Sequence, residues 1–292
     1  MVFPEPQGAI RPLQQSGAFG RTLEHLSCKV RNIDLDDGTG RVGRAQVVLR
    51  RFGPVRLGWV PRGPVWAPGL DIRDKIAALR RLRATLPPRT RLLINCETAA
   101  DAEALCGRPR LRMAASPAVA EWDLRPGPEA LLAAQKGKWR NRLRHAQSGA
   151  MICIPRLFSP AHDMALLRAE TAQRRDRGYA GYPAAFTLAW NAANPGAARI
   201  FVARAAGFTL AYMLVLTHGN SATYHAGWTS PRGRAQSAHN LLMWEAALWL
   251  RARGVQRFDL GLADPARAPG LTRFKLGSGA RMRGLGSTYL VW

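Results

Sequence analysis

FTLAYMLVLTHGNSATYHAGW, residues 208–228, contains two apolar runs, 208–216 and 221–228, joined by His218-Gly-Asn220. Apolar and β-branched residues on either side of a Gly-Asn turn predict a β-hairpin. A helix is predicted next over 238–253, from the stripe Leu241, Leu242, Trp244, Ala247, Leu248 and Leu250, with Gly254 as its C-terminal stop. Residues 255–260 read as the strand after it, and 287–292 as a last strand. With a further strand at 199–203, this order of strand, hairpin, long helix and strand describes a mixed α/β layer in which a helix crosses between neighbouring strands.

Upstream, helices are expected over 15–26 and 71–86, and strands over 46–52, 56–60 and 91–95. The helix over 71–86 is stopped by Pro87-Pro88. A proline- and tryptophan-containing passage, 116–128, breaks the periodicity and marks the boundary between two domains, 1–125 and 126–292. Helices near 160–177 and 183–193 and a strand at 150–155 complete the second half.

The 292 residues carry 43 basic against 19 acidic side chains, a formal charge of +24, and only five of the basic residues are lysine. Such a field attracts polyanions. Composition alone leaves a polyanion partner and a merely solvated basic surface equally open. No apolar run reaches the ~18 residues that span a bilayer, and MVFPEPQGAI lacks a basic-then-apolar leader, so a cytoplasmic location is the expectation. Cys28, Cys96, Cys106 and Cys153 are scattered, with no CxxC or HExxH, and no metal site is expected.

GLTRFKLGSGARMRG, residues 270–284, fails both GxxxxGK[ST] and GxGxxG, which argues against nucleotide hydrolysis and dinucleotide binding. It reads as a loop. Within it Lys275, between Phe274 and Leu276, is a cation beside apolar groups, suited to stabilising an oxyanion, although a lone lysine is ordinarily solvated. The segment 135–149 places Lys136, Lys138, Arg140, Arg142 and Arg144 around Trp139, either as a phosphate-meeting face or as an exposed helix anchored by Trp139 and Leu143. Tyr224, His225 and Asp259 are the acid/base candidates. No Ser-His-Asp or Cys-His constellation supports a covalent intermediate.

Residues 138–149, 241–254, 258–261 and 270–275, together with Val60-Pro-Arg-Gly-Pro-Val65, resemble the FemAB-like (BioF2-like) branch of the GNAT acyltransferase superfamily. The resemblance implies two tandem GNAT-like domains, the second with the better-formed core and the last strand packing on the first. It implies transfer of an acyl or aminoacyl group from acyl-CoA or aminoacyl-tRNA directly to an amine, such as one on a cell-wall or lipid precursor. It implies that Phe274 lines the site and Lys275 stabilises the tetrahedral oxyanion; for direct attack by an amine, Tyr224 or Asp259, from the acid/base candidates above, would relay or accept the amine's proton. Lys138, Arg140, Arg144, Arg232 and Arg234 are then the donor- or phosphate-binding candidates. Two departures stand out: the coiled-coil arm of bridge-forming transferases is absent, and the Q/R-x-x-G-x-G/A loop is only loosely approached by residues 230–238. A non-catalytic protein that binds RNA or an anionic surface, with peripheral membrane contact or tRNA as partner, is the alternative.

Overall fold

The computed structural model describes residues 11–105 and 110–292. The opening ten residues and Cys106 lie outside the described residues. The chain divides into two compact units, one built from Arg11–Ala118 with Arg283–Trp292, the other from Val119–Met282.

In the first unit a 3-10 turn at Leu13–Gln15 and α1 (Gly17–His25) precede β1 (Lys29–Asp36), β2 (Arg41–Phe52), β3 (Val55–Val60) and β4 (Val65–Trp66). They are followed by α2 (Ile72–Ala84), β5 (Thr90–Asn95), α3 (Ala99–Glu103) and β6 (Arg110–Ala114). Asp71 caps α2 by accepting from the Arg73 amide, and Ala78, Leu79 and Leu82 form its buried stripe. The sheet runs β1-β2-β3-β5-β14-β6, where β14 is the final strand, Thr288–Val291, inserted between β5 and β6. Val60-Pro-Arg-Gly-Pro-Val65 forms the turn after β3, in which Arg62 donates to Glu97 at 2.9 and 3.0 Å. Arg283 reaches the same carboxylate at 2.5 Å.

The second unit begins with β7 (Ala118–Asp123), α4 (Pro128–Ala133), α5 (Gly137–Gln147), β8 (Ile152–Leu157), α6 (Pro160–Arg177) and α7 (Ala184–Ala193). Next come β9 (Ala198–Ala205), β10 (Phe208–His218), β11 (Ser221–Thr229), α8 (Pro231–Ala235) and α9 (Ala238–Arg251). It closes with β12 (Arg257–Leu262), α10 (Pro269–Gly277) and β13 (Arg281–Gly284). Its sheet runs β13-β7-β12-β11-β10-β9-β8. The hairpin of residues 208–228 is therefore its centre. Met213, Leu214, Val215, Phe201, Leu242, Met243, Ala247 and Phe258 are fully buried, and each of the larger side chains contributes ~2–3 kcal/mol by leaving water.

β11 and β12 are parallel, with α9 crossing between them, yet they pair only from Ser221/Arg257 to Thr223/Asp259. Immediately beyond, a bulge in β11 leaves His225 without a register partner on β10. At the same level the β12 register breaks against β7. A wedge opens between the two strands there.

The predicted loop over 270–284 is corrected by the structure: its first eight residues belong to α10. Pro269 takes the first helical position, where its missing N–H costs nothing, and Thr272 and Lys275 are buried with Phe274 and Leu276 half-buried beside them. Of its glycines only Gly279 has a positive φ, +101°. β1, β6, β7 and β13 were not legible as strands.

α8 docks tightly against β10. A Cβ at Gly233 would lie 2.3 Å from the Leu210 carbonyl oxygen, a backbone atom that cannot rotate away. Gly233→Ala is expected to cost ~1–3 kcal/mol, read as a lowered denaturation midpoint in urea with an unchanged m-value.

Candidate active site

The wedge is lined by groups from four elements. On β12, Asp259 is buried, accepts from the Gly261 amide at 2.8 Å and lies 3.6 Å from Arg257. Arg257 also pairs with Glu121 of β7. Gly261 has φ +78°, a conformation that disfavours any side chain, and the position of a Cβ there would lie 3.7 Å from Lys275 Nζ. α10 supplies that lysine. Lys275 is 5% exposed and donates from Nζ to the Leu262 carbonyl at 2.7 Å. Burial pulls its pKa down to about 8, a shift partly opposed by the negative charge of Asp259. At neutral pH it remains a cation.

Phe274, one residue earlier, meets the His239 ring edge-on at 6.0 Å and the Trp139 ring at 6.2 Å. His239, in the first turn of α9, lies between two hydroxyls: Thr229 Oγ1 at 2.5 Å from Nδ1 and Tyr224 Oη at 3.2 Å from Nε2. Burial lowers the His239 pKa to about 4 and raises that of Tyr224, so the imidazole is neutral and the phenol protonated at pH 7. A neutral imidazole accepts through one nitrogen and donates through the other, so Thr229, His239 and Tyr224 form a chain able to pass a proton. His225 belongs elsewhere. It bonds Thr187 of α7 at 2.7 Å and stacks near Tyr182 and Phe186.

The structure thus brings Phe274, Lys275, Tyr224 and Asp259 into one cluster, and adds His239 and Thr229, which no spacing in the sequence connects to them. Beside the cluster, a cleft of about 690 Å³ is lined by Lys136, Lys138, Arg142, Arg273, Trp139 and Phe274, together with three glycines. On α5 it is therefore the i,i+4 pair Lys138 and Arg142 that faces the cleft. Arg140 and Arg144 are not among its lining residues, and Arg232 and Arg234 are exposed on α8. In α8 the Gly233 amide is taken by Ser230 Oγ, the Arg234 amide by Ser230 O and the Gln236 amide by Arg232 O. Among the described residues no group of three His, Cys, Asp or Glu side chains is arranged to hold a metal, and no helix is long and apolar enough to cross a membrane.

Residues 129–277, just over half of the chain, match the family model described as an acetyltransferase (GNAT) domain. A comparison with curated proteins returns no match. Among solved structures, FemX superposes with a TM-score of 0.79 at 13% identity, covering 96% of this chain and 92% of FemX. The C-terminal domain of a putative lysylphosphatidylglycerol synthetase from Agrobacterium fabrum superposes with a TM-score of 0.57 at 14% identity, covering 96% of this chain and 88% of that domain. A tandem GNAT protein from the clavulanic acid biosynthesis pathway gives 0.50 at 12% identity, with 98% and 89% coverage. These likenesses share the fold of two mixed α/β units.

Asp259 is the negative charge that raises the Lys275 pKa. Asp259→Asn is expected to move Lys275 below about 8, so that at pH 7.5 more of it is neutral. The change is read as faster modification by an amine-selective reagent at fixed pH and as a shifted lysine side-chain titration by NMR. An unchanged titration would detach Asp259 from the site.

Proposed function

We propose, from the premise that this chain belongs to the acetyltransferase (GNAT) domain family, that it is a FemAB-like N-acyltransferase working by direct attack of an acceptor amine on an activated carbonyl. The observation that carries this reading is Lys275: a buried ammonium whose Nζ lies at the end of β12, where β11 and β12 part, with the Tyr224–His239 chain in the same cluster.

The neutral amine forms a C–N bond to the carbonyl carbon of a thioester or ester, and the carbonyl π electrons move onto oxygen. Lys275 keeps N–H groups beyond the one directed at Leu262 O, and as a cation it stabilises that oxyanion in a site with little water. Collapse breaks the C–S or C–O bond. The leaving group takes a proton from Tyr224, whose phenol burial keeps protonated, and the proton lost by the amine returns to Tyr224 through His239. Phe274 shapes the pocket, and Asp259 holds the charge of Lys275 in place.

The donor in this reading carries an acyl or aminoacyl group on CoA or tRNA, and the acceptor amine belongs to a cell-wall or lipid precursor. Arg232, Arg234, Arg140 and Arg144 are its outer contacts for a polyanionic donor. The name lysylphosphatidylglycerol synthetase describes an aminoacyl group joined to a lipid, which favours an aminoacyl donor within the same proposal. Incubation with labelled acyl-CoA and, separately, labelled aminoacyl-tRNA, with mass analysis of the products, identifies the donor. A protein that transfers from neither and binds RNA with a steep salt dependence would instead be a binding module.

Lys275→Met is expected to lower kcat by roughly 10²–10³-fold with the fold intact, and Tyr224→Phe by about 10²-fold. The pH profile carries a sign. If the cation stabilises the oxyanion, activity falls as pH rises through about 8, where Lys275 loses its proton. Activity that instead rises through that pH would make Lys275 the base.

A further inference from the structure

The cleft between α5 and α10 brings four cations together with no carboxylate in its lining: Lys136 at the start of α5, Lys138 and Arg142 along it, and Arg273 on α10. None of the four forms an ion pair among the described residues. Like charges converging on one concavity repel, and elsewhere the fold pairs its cations readily, as at Arg62–Glu97, Arg156–Asp163 and Arg257–Glu121.

The walls of the cleft carry a second observation. Trp139 lines it and is 5% exposed, yet its indole Nε1 has no hydrogen-bond partner. Buried polar groups are ordinarily satisfied, and an unpartnered indole N–H in the wall of a cationic hollow has the chemistry of a site completed by an oxygen-rich ligand. Both helices, moreover, begin at the cleft without a side-chain cap, so their first amides add positive potential there. A Cβ at Gly137 or Gly270 would meet nothing within 4 Å, so a ligand can approach the backbone at both helix starts.

We propose that this cleft seats a diphosphate carried by one of the two substrates, held by Lys136, Lys138, Arg142 and Arg273, with Phe274 forming the boundary between the bound anion and the acyl-transfer cluster. Convergence of four charges fits a multiply charged group better than a single carboxylate. The volume suits a nucleotide-sized moiety. Two sources share this chemistry: the pyrophosphate of a CoA donor and the diphosphate of a nucleotide-linked acceptor. The proposal rests on the acyl-transfer reading only for the role of the bound substrate, because binding at the cleft does not require turnover.

Titration of the full chain with pyrophosphate, CoA and UDP by calorimetry at fixed ionic strength tests it. Saturable pyrophosphate binding is expected, weakened at least tenfold in Lys138→Glu and in Arg273→Glu and less strongly in Lys138→Gln and Arg273→Gln. Arg168→Glu, exposed on α6 outside the cleft, should leave binding unchanged, which separates a built site from diffuse attraction to the basic surface. Tighter binding of CoA than UDP assigns the diphosphate to the donor, and the reverse assigns it to the acceptor. Lys275→Met separates the two readings: it should still bind pyrophosphate saturably, weakened less than in Lys138→Glu or Arg273→Glu, while losing turnover, and if it retains turnover the acyl-transfer role of Lys275 fails while the cleft stands. The inference is overturned if pyrophosphate does not bind, if the Lys138 and Arg273 variants bind within twofold of wild type while remaining folded, or if only an RNA oligonucleotide binds.

Discussion

Parallel hydrogen bonding between β11 and β12 lasts three residues and then stops. That interruption is the constraint on which the rest of the site depends. A continuous parallel pair would bury its backbone groups in the ladder and leave no opening at this level of the sheet. Instead the bulge at His225 turns β11, while the left-handed Gly261 turns β12 just after Asp259. α9 crosses between the strands and brings His239 to Tyr224, and α10 returns Lys275 to the end of β12. Tyr224, His239, Asp259 and Lys275 thus arrive on four different elements, and none of the four is near another in sequence.

Burial then sets the charge states. An ammonium removed from water favours its neutral form, and the depressed pKa of Lys275 records that cost. Asp259 offsets part of it, but Asp259 itself is held by Arg257, which also pairs with Glu121. The arrangement is a charge-balanced chain from β7 through β12 to α10. On the opposite side, desolvation without any compensating charge leaves His239 neutral. One cation, one neutral imidazole and one protonated phenol at neutral pH are what an addition–elimination at a carbonyl requires: a stabiliser for developing negative charge and a route for a proton.

The central strands, the hairpin and the long helix were legible because their apolar residues repeat at strand or helix period and their ends carry Gly-Asn and Gly signals. β1 was not, because its burial is confined to residues near its end, with Lys29, Arg31 and Asn32 exposed. α10 was read as a loop because its glycines outweighed a short apolar stripe; only Pro269 signalled a helix start. Lys275 was noticed as a cation between apolar neighbours and raised with Phe274 to a leading candidate by resemblance, and their burial could not have been read from one lysine among such neighbours. His239 gave no signal, since its partners Thr229 and Tyr224 lie on the preceding strand and meet it only after α8 reverses the chain. The sequence offered Lys138, Arg140 and Arg144 on α5, whereas the cleft is set by where α10 packs, and of these three it is lined by Lys138 alone, joined by Arg142.

α10 carries groups of both kinds on one short helix. Arg273 faces the cleft and Lys275, two residues on, is directed inward, because successive residues of a helix are separated by about 100°. An anion seated against Arg273 brings negative charge close to Lys275 on the far side of Phe274. Negative charge nearby favours the ammonium, as Asp259 already does from β12. Occupation of the cleft would therefore hold Lys275 in the form that stabilises an oxyanion, at pH values where the free protein begins to lose that proton. On the proposed reading, substrate binding and readiness for the chemical step would be joined by electrostatics across a single turn of helix.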